Sequence, residues 1–254
     1  MKKHISYSEI RIWNECAYKH KLKYLDKISE FNGNEFTLFG TALHDVCEKM
    51  LISGSSEGSK YFTHRFFSAI EEFKLGGGSL DSQLLSEMND QGVGLSPKIL
   101  PGVEKYFGGY EVFSTEEKLY EEIEGVDNQF KGYIDAVLKK GDTYHIIDWK
   151  TCSWGWNARK KADKVLNYQL TLYKHFFAKK HKIDPKNIET YFALLKRTAK
   201  KNQVEIFRVT SGPKKIKNCL NLLQKALYNI KNEHYVKNRL SCERCEFYRT
   251  RHCV

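Results

Sequence analysis

The chain has 254 residues, which is enough for one large domain or for a catalytic core with an added subdomain. Hydrophobic residues make up 41% of it, which suffices for a real core, and the formal charge of +11 favours a polyanionic partner. No stretch approaches the roughly 18 apolar residues of a membrane span, and no apolar run follows the first residues, so we expect neither a span nor a signal peptide. We therefore expect a cytoplasmic protein in which seven cysteines serve as ligands or buried thiols.

Hydrophobic periodicity predicts a mixed order of helices and strands. Ser6 and Glu9 form a capping box at the start of a helix that we extend to Tyr24. A second helix is predicted from near Thr41, and short helices joined by Gly-rich breaks are predicted up to about residue 110. Strands at 116–124, 131–138, 144–151, 190–195 and 204–209 and helices at 163–179 and 213–232 follow. This order predicts an α/β fold in which helices flank a mixed sheet, with 53–110 as a helical insertion.

The strongest pattern is a predicted hairpin closed by Gly141 and Asp142. If these are the two central turn residues, counting outward places Asp135 directly opposite Asp148. Opposed like charges lie about 5 Å apart at Cβ and are destabilising unless something neutralises them. A divalent cation would do so, and Lys150 projects from the same face as Asp148. Two carboxylates and an ammonium at one point predict metal-assisted hydrolysis, with phosphate as the natural substrate.

The alternative is that these charges form a solvated face of an ordinary hairpin. The flanking residues argue against it, because Ile134, Ala136, Ile147 and Trp149 make the opposite face apolar. Val137 and Ile146 place apolar side chains on the acidic face as well. Carboxylates among apolar neighbours are costly unless they are paired or bound to metal, so the sequence favours a functional site.

Three stretches together resemble the PD-(D/E)XK nuclease superfamily, specifically its RecB-type branch. They are Gly132-Tyr133-Ile134-Asp135, Asp148-Trp149-Lys150-Thr151 and Gln169-Leu170-Thr171-Leu172-Tyr173. The resemblance covers residues 6–50 and 116–253. It implies a restriction-endonuclease-like core in a single nuclease domain, 1–254, with Asp135, Asp148 and Lys150 as catalytic residues.

The resemblance also implies a ligand set for Mg²⁺ or Mn²⁺. The family places a metal-binding histidine four residues after a glycine, and Gly40 and His44 fit that setting, although a lone helical histidine is more often packed or exposed. His44 would join Asp135 and Asp148, and the carbonyl of Trp149 is a further candidate because hard cations accept backbone oxygens. In this family the lysine equivalent to Lys150 orients the attacking water.

A second group of residues is predicted to contact DNA. Gln169 and Tyr173 share one helical face, which the resemblance directs toward the active cleft, although Tyr173 also fits the core stripe of its helix. Arg159, Lys160 and Lys161 add phosphate-binding charge nearby. Among the glutamates of the strand predicted at 116–124, Glu121 is the candidate for one more metal ligand. The alternative is that these glutamates form a solvated strand edge.

The carboxyl end carries Cys242, Cys245 and Cys253, a C-x2-C-x7-C pattern that favours a metal site. The fourth ligand stays open: His252 would suit zinc, and a distant cysteine would suit an iron–sulfur cluster. The segment around Cys16 resembles iron–sulfur RecB-type nucleases, among them CRISPR-associated adaptation exonucleases and the AddB subunit. This implies a [4Fe–4S] cluster held jointly by residues 1–20 and 233–254.

The sequence departs from that pattern in two places. Ala17 stands where proline is usual, and seven residues separate Cys245 from Cys253 where five are commoner. We expect the other cysteines, Cys47, Cys152 and Cys219, to act as small hydrophobic residues.

Together these features predict a metal-dependent DNA exonuclease that acts in recombination, repair, or phage or CRISPR DNA processing. The sequence contains no G-x4-G-K-[ST] motif, so any unwinding would come from a partner such as a helicase; a recombinase or a CRISPR adaptation protein is another candidate partner. A structure-specific endonuclease is the first alternative. A nucleic-acid-binding module that keeps the fold without the chemistry is the second.

Overall fold

Within residues 3–28 and 33–253, which the computed structural model describes, six strands form one mixed sheet. The strands are β1 (His4–Ser6), β2 (Glu111–Glu122), β3 (Gln129–Lys140), β4 (Thr143–Cys152), β5 (Ile188–Lys196) and β6 (Val204–Arg208). Their order is β1-β3-β4-β5-β6, and β2 pairs with β3 outside that path. The β1–β3 and β4–β5 pairs are parallel and the others are antiparallel. The predicted mixed α/β sheet is confirmed.

Helices cover both faces of the sheet. One face packs against α1 (Tyr7–Glu15), α8 (Lys164–His181) and α9 (Pro213–Lys231), and we call it the α8 face. The other packs against α3 (Glu35–Ser53), α4 (Gly58–Leu75), α5 (Ser82–Leu95) and α6 (Ile99–Phe107), and we call it the α3 face. Two short helices, α2 (Ala17–His20) and α7 (Ala158–Lys161), follow α1 and β4 in the chain. No helix in the described ranges is long and apolar enough to cross a membrane.

The hairpin has the register predicted from its turn. Pairing runs from Lys140 opposite Thr143 to Ala136 opposite Ile147, with Gly141 and Asp142 between the strands. Gly141 has a φ of +57°, the left-handed conformation that a tight turn of this kind requires. The next step of the same register would set Asp135 against Asp148, so the pairing ends just before the two acids.

Strand β3 has a gap on one of its edges. Strand β2 runs along β3 from Gln129 to Lys139, so β1 and β4 must share the opposite edge. There β1 takes residues 129–131 and β4 takes residues 136–140, which leaves 132–135 without a strand partner on that edge. The sheet therefore forks at 132–135, between β1 and β4.

At the level of the fork, β3 and its neighbour β2 both change the face to which alternate side chains point. Ala136 packs on the α3 face and Ile134 on the α8 face, so our prediction that they share a face is wrong. On β2, Thr115 bonds to Glu48 of α3, whereas Glu117 bonds to His181 of α8. Residues two apart on a regular strand share a face, yet Ile134 and Ala136 lie on opposite faces, and so do Thr115 and Glu117. Strand β3 therefore switches faces at Asp135, and β2 switches at Glu116.

The first helix is shorter than predicted. The capping box of Ser6 and Glu9 is present, but α1 ends at Glu15. Cys16 follows with an extended backbone, and α2 begins after it. The Cys16 thiol accepts a hydrogen bond from Lys19 N and so caps α2. The backbone groups freed by this break bond to the carboxyl-terminal segment: Asn238 Nδ2 donates to Glu15 O, and Tyr18 N donates to Val236 O.

Residues 53–110, predicted as a helical insertion, contain α4, α5 and α6 in place of the short helices expected. Phe62 and Phe66 of α4 stack on one another and meet Phe39 of α3 edge-on, all three fully buried. This segment therefore supplies part of the hydrophobic core against which α3 is positioned. Helix α3 itself begins at Glu35, earlier than predicted, because Asn34 and Thr37 form a capping box.

Close packing between α4 and α5 predicts opposite effects at two glycines of α5. A Cβ at Gly92 would lie 2.1 Å from the ring of buried Phe62, whereas one at Gly94 meets nothing within 4 Å. Gly92→Ala should lower the free energy of unfolding by about 1–3 kcal/mol through overpacking. Gly94→Ala should leave it unchanged or raise it by up to about 1 kcal/mol. Urea denaturation of both variants measures this, and equal effects would contradict the packing described.

Candidate active site

Asp135 lies in the fork of the sheet. Its Oδ2 accepts a hydrogen bond of 2.7 Å from the backbone N–H of Trp149, where the β3–β4 ladder would otherwise continue. The carboxylate thus takes the place of a strand partner, and β4 leaves β3 at this point. Strand β4 stays fixed because it continues to pair with β5, with Asp148 opposite Phe192.

Asp148 is buried, with 1% of its surface exposed. Lys150 Nζ forms an ion pair of 2.6 Å with its Oδ2, and this oxygen has no other polar partner among the residues described. Burial raises the pKa of Asp148 to about 6; Lys150 opposes the shift and the charge of Asp135 adds to it. The site therefore holds an acid whose charge the protein alone compensates poorly.

His44 approaches from the α3 face. Its Nδ1 lies 3.6 Å from Asp135 Oδ2. Burial lowers the pKa of His44, but the nearby carboxylate of Asp135 outweighs that effect, so the pKa lies above its ordinary value. One turn earlier, a Cβ at Gly40 would lie 3.4 Å from Thr151 Oγ1, so α3 runs close along the end of β4. This proximity places the imidazole beside the carboxylates.

Gln169 and Tyr173 approach from the α8 face. Gln169 Nε2 donates to Tyr173 Oη at 3.2 Å, and both side chains are buried. Burial, and next the charge of Asp148, raise the pKa of Tyr173. A Cβ at Gly132 would lie 2.9 Å from the Tyr173 ring, so glycine at this position lets α8 approach the fork. Tyr173 therefore belongs to the core and also borders the acidic centre; its contact with DNA stays a prediction.

Glu116, another glutamate of the same predicted strand, lies closer to the acidic centre than Glu121. It stands between Thr115 and Glu117, which pair with Ala136 and Ile134, so it lies at the level of Asp135. Burial, and then the charges of Asp135 and Glu48, raise the pKa of Glu116. Its φ of +46° is unusual for a residue other than glycine and marks the point where β2 switches faces. Glu121, our candidate, pairs with Phe130, about 16 Å along β3 from Asp135. Only the pairing register of β2 with β3 shows that Glu116, and not Glu121, lies near Asp135. No turn signal in the sequence fixes that register.

The basic residues predicted to bind DNA lie on α7. Lys161 forms an ion pair of 2.5 Å with Glu205, a carboxylate that it shares with Lys196, so part of its charge is compensated. Lys160 lies over the ring of Trp156 at 4.7 Å and, like Arg159, is exposed. Arg159 and Lys160 are therefore better placed than Lys161 to meet a phosphate.

The donor set at the fork fits a hard divalent cation. It combines the carboxylates of Asp135 and Asp148 with the imidazole of His44 and the Trp149 carbonyl. The observation that supports this fit is the buried Asp148 Oδ2, whose one polar partner among the described residues is the Lys150 ammonium. Across 3–28 and 33–253, no three His, Cys, Asp or Glu side chains are gathered in a metal-binding arrangement. Binding therefore requires side-chain movement, and the ion pair of Lys150 with Asp148 would have to open.

The four cysteines predicted to hold a cluster lie at the junction of the two chain ends. Asn238 N donates to Cys16 Sγ at 3.4 Å, and Cys242 Sγ lies 3.9 Å from Asn238 O, so one residue links the two thiols. All four, Cys16, Cys242, Cys245 and Cys253, are free and partly exposed. By contrast, Cys47 and Cys219 are buried among apolar residues as expected, and burial raises the pKa of Cys219 to about 12.

Cation binding at the fork has a readout that is independent of catalysis. Mn²⁺ at about a hundredfold excess over its Kd should stabilise the protein by about 2.7 kcal/mol and raise Tm by about 5–10 °C. Asp135→Asn and Asp148→Asn should each abolish that rise, because each removes a ligand charge. Glu121→Gln, remote on β2, is the control and should keep the rise. Differential scanning calorimetry with and without Mn²⁺ decides, and an undiminished rise in Asp148→Asn would refute the ligand set.

Known proteins share the fold and the family of this chain. A protein from Eubacterium rectale, named as a putative exonuclease, superposes with a TM-score of 0.63 at 12% identity, over 98% of this chain and 89% of its own. A protein designated SSO0001 gives a TM-score of 0.43 at 11% identity, over 97% and 85%. No curated protein sequence matches the chain significantly. The family model of the PD-(D/E)XK nuclease superfamily matches residues 4–250, and the chain therefore belongs to that superfamily of nucleases.

Proposed function

We propose that this nuclease is a metal-dependent DNA exonuclease. One observation carries the proposal: Asp135 and Asp148 meet at the fork with His44 on one side and Lys150 on the other. Two carboxylates held close together, one of them fully buried, are unfavourable in the protein alone and favourable around a cation. The three residues Asp135, Asp148 and Lys150 are all present, which argues against a module that has kept the fold and lost the chemistry.

The cation would be held by Asp135, Asp148, His44 and the Trp149 carbonyl. When bound, Mg²⁺ or Mn²⁺ supplies a water of lowered pKa and polarises the scissile phosphate. Asp135 already has a fixed orientation because it accepts the Trp149 N–H. That bond also directs the backbone of Trp149 toward the site, so one contact positions two of the four ligand groups.

Lys150 has two roles in this proposal. Without a cation, its ammonium compensates Asp148 at 2.6 Å. With Asp148 engaged elsewhere, the ammonium is free to orient the attacking water and to stabilise the negative charge that develops on the phosphate. Its side chain is partly exposed, so it reaches the substrate from the open side of the site.

DNA would bind across the basic surface beside the site. Arg159 and Lys160 offer exposed charge for phosphate contacts, and Lys161 contributes less because Glu205 pairs with it. Gln169 and Tyr173 would pack against the acidic centre from the α8 face, since both are buried. The charge of +11 suits contacts that carry little sequence preference.

An exonuclease is favoured over a structure-specific endonuclease. The Eubacterium rectale protein carries exonuclease in its name and has the same fold along nearly its whole length. We place the activity in recombination, repair, or phage or CRISPR DNA processing. A helicase, a recombinase or a CRISPR adaptation protein would be its partner there, and we expect it in the cytoplasm.

Three substitutions test the chemistry. Asp135→Ala, Asp148→Ala and Lys150→Ala should each lower the rate of DNA cleavage by at least about a hundredfold, the scale of lost acid–base or charge stabilisation at such sites. Binding of DNA in EDTA should persist, because phosphate contacts lie elsewhere. Glu121→Gln should cleave normally. The assay is release of labelled nucleotides from linear DNA with Mg²⁺ or Mn²⁺, and wild-type cleavage by Asp148→Ala would remove the site.

The same assay separates the exonuclease from its alternatives. Linear DNA with free ends should be degraded to short products while a covalently closed duplex circle resists. Efficient cutting of the circle would favour the endonuclease, and binding without any cleavage would favour the non-catalytic module.

We also propose that Cys16, Cys242, Cys245 and Cys253 hold a [4Fe–4S] cluster. What supports this is the meeting of the two chain ends: Tyr18 Oη donates to His252 O at 3.2 Å, and Lys23 pairs with Glu246 at 3.0 Å. A shared cluster here would close a loop of more than two hundred residues and so stabilise the fold. A zinc site that uses His252 is the alternative.

The cluster is tested by colour and by metal analysis. Protein purified without oxygen should be brown and contain iron and acid-labile sulfide. Replacing Cys16, Cys242, Cys245 or Cys253 by Ala should bleach it and lower its Tm, because each removes one thiolate ligand. Cys47→Ala and Cys219→Ala, at buried thiols, are the controls and should keep the colour. A colourless protein with one zinc would decide for the zinc site.

A further inference from the structure

We propose that Trp154 and the pair of Phe36 with Arg197 form a stacking platform for unpaired nucleotides beside the active site. The proposal rests on the nuclease function above and makes it specific: the preferred substrate is single-stranded DNA, or a duplex whose end is single-stranded. Stacking on aromatic side chains in a basic groove is the usual way that proteins hold single strands without reading their sequence.

Trp154 is the most exposed aromatic side chain that the structure describes. It is 74% exposed and lies two residues beyond the end of β4, the strand that carries Asp148 and Lys150. An indole ring left in water forgoes a large amount of apolar burial. The three other tryptophans are partly or fully buried, so Trp154 is the exception in its exposure to solvent.

The backbone on both sides of Trp154 is held rigidly. Ser153 O accepts hydrogen bonds from Thr198 N at 3.1 Å and from Thr198 Oγ1 at 2.8 Å. On the other side, Gly155 has a φ of +125°, a conformation that favours glycine, and Trp156 packs edge-on against Phe192. The indole therefore projects from a fixed backbone, and no backbone segment has to be ordered when a base stacks on it.

Phe36 and Arg197 provide a second flat surface close to the first. The guanidinium of Arg197 lies 5.3 Å from the Phe36 ring centre, and the ring is 49% exposed. The guanidinium donates to Gln91 Oε1 at 2.5 Å and to Ser153 Oγ at 3.2 Å. Neither partner is acidic, so these contacts fix the plane of Arg197 without cancelling its charge. A base can stack on this surface, and a phosphate can bind the Arg197 guanidinium.

This surface is continuous with the active site. Phe36, Gly40 and His44 lie on one face of α3 at successive turns, so Phe36 is about 12 Å from His44 along the helix. Gly40 faces Thr151 of β4, and Arg197 N donates to Cys152 O at 2.9 Å. The helix and the strand that carry the candidate ligands therefore also carry the platform, and one DNA strand can reach both.

The charge around the platform fits nucleic acid better than a protein partner. Arg159 and Lys160 are exposed on α7, just after Trp156, and Lys200 and Lys201 are exposed just after Thr198. Basic side chains thus flank the aromatic rings on two sides. A blunt duplex keeps its bases stacked inside and would meet only the charges, so the exposed rings favour a single strand.

Binding of a labelled oligothymidine in EDTA tests the platform without catalysis. Fluorescence anisotropy should show Trp154→Ala binding about tenfold more weakly, the scale of one lost stacking contact, and Phe36→Ala weaker as well. Trp154→Phe should bind nearly as well as the wild type. The slope of log affinity against log salt should be unchanged in Trp154→Ala, because no phosphate contact is lost. Tyr228→Ala, an exposed aromatic on α9, is the control.

The outcomes separate the platform from the nuclease. Oligothymidine binding by Trp154→Ala equal to wild type would overturn the platform, whether or not the protein cleaves DNA. An equal loss of affinity for a blunt duplex would overturn the assignment to unpaired bases. Loss of binding in Trp154→Ala together with a wild type that cleaves no DNA would support the platform and refute the proposed nuclease function.

Discussion

The placement of Asp135 and Asp148 at the fork of the sheet is the constraint on which the rest of this structure depends. Asp135 replaces a strand partner by accepting the Trp149 N–H, and β4 can leave β3 there only because β5 continues to support it. The gap opens the middle of the sheet to both helical layers. His44 then reaches Asp135 from the α3 face, and Tyr173 reaches the same centre from the α8 face.

This arrangement places unfavourable groups inside a stable framework. Asp148 is buried and incompletely compensated, and Glu116 combines a strained backbone with an acidic neighbourhood. Both reduce stability, and both are tolerated because large apolar clusters lie on each face of the sheet. Neighbouring carboxylates in such a site lower the stability of the fold, and the same carboxylates favour the binding of a cation.

The hairpin could be predicted from the sequence because its register depends on a local signal, the turn at Gly141 and Asp142. The mixed sheet followed from the order of periodic segments in the same way. The switch of faces at Asp135 and Glu116 could not be predicted, since it depends on the register of β2, which is separated from β3 by a loop. The break at Cys16 was hidden because its hydrogen-bond partners lie near residue 238. Exposure of Trp154 likewise depends on the hydrogen bonds from Thr198 to Ser153, which no periodicity encodes.

The two ends of the chain connect to the active site through α1. The break after α1 is held by Asn238, and α1 itself packs on α8, where Tyr7 Oη donates to Leu166 O at 3.4 Å. Helix α8 carries Tyr173, which fits against Gly132 at the fork. Anything that tightens the junction of the chain ends therefore acts on the α8 face of the site, whereas the proposed DNA platform lies along α3 and the end of β4. The fold thus separates the element that stabilises the site from the surface proposed to receive the substrate.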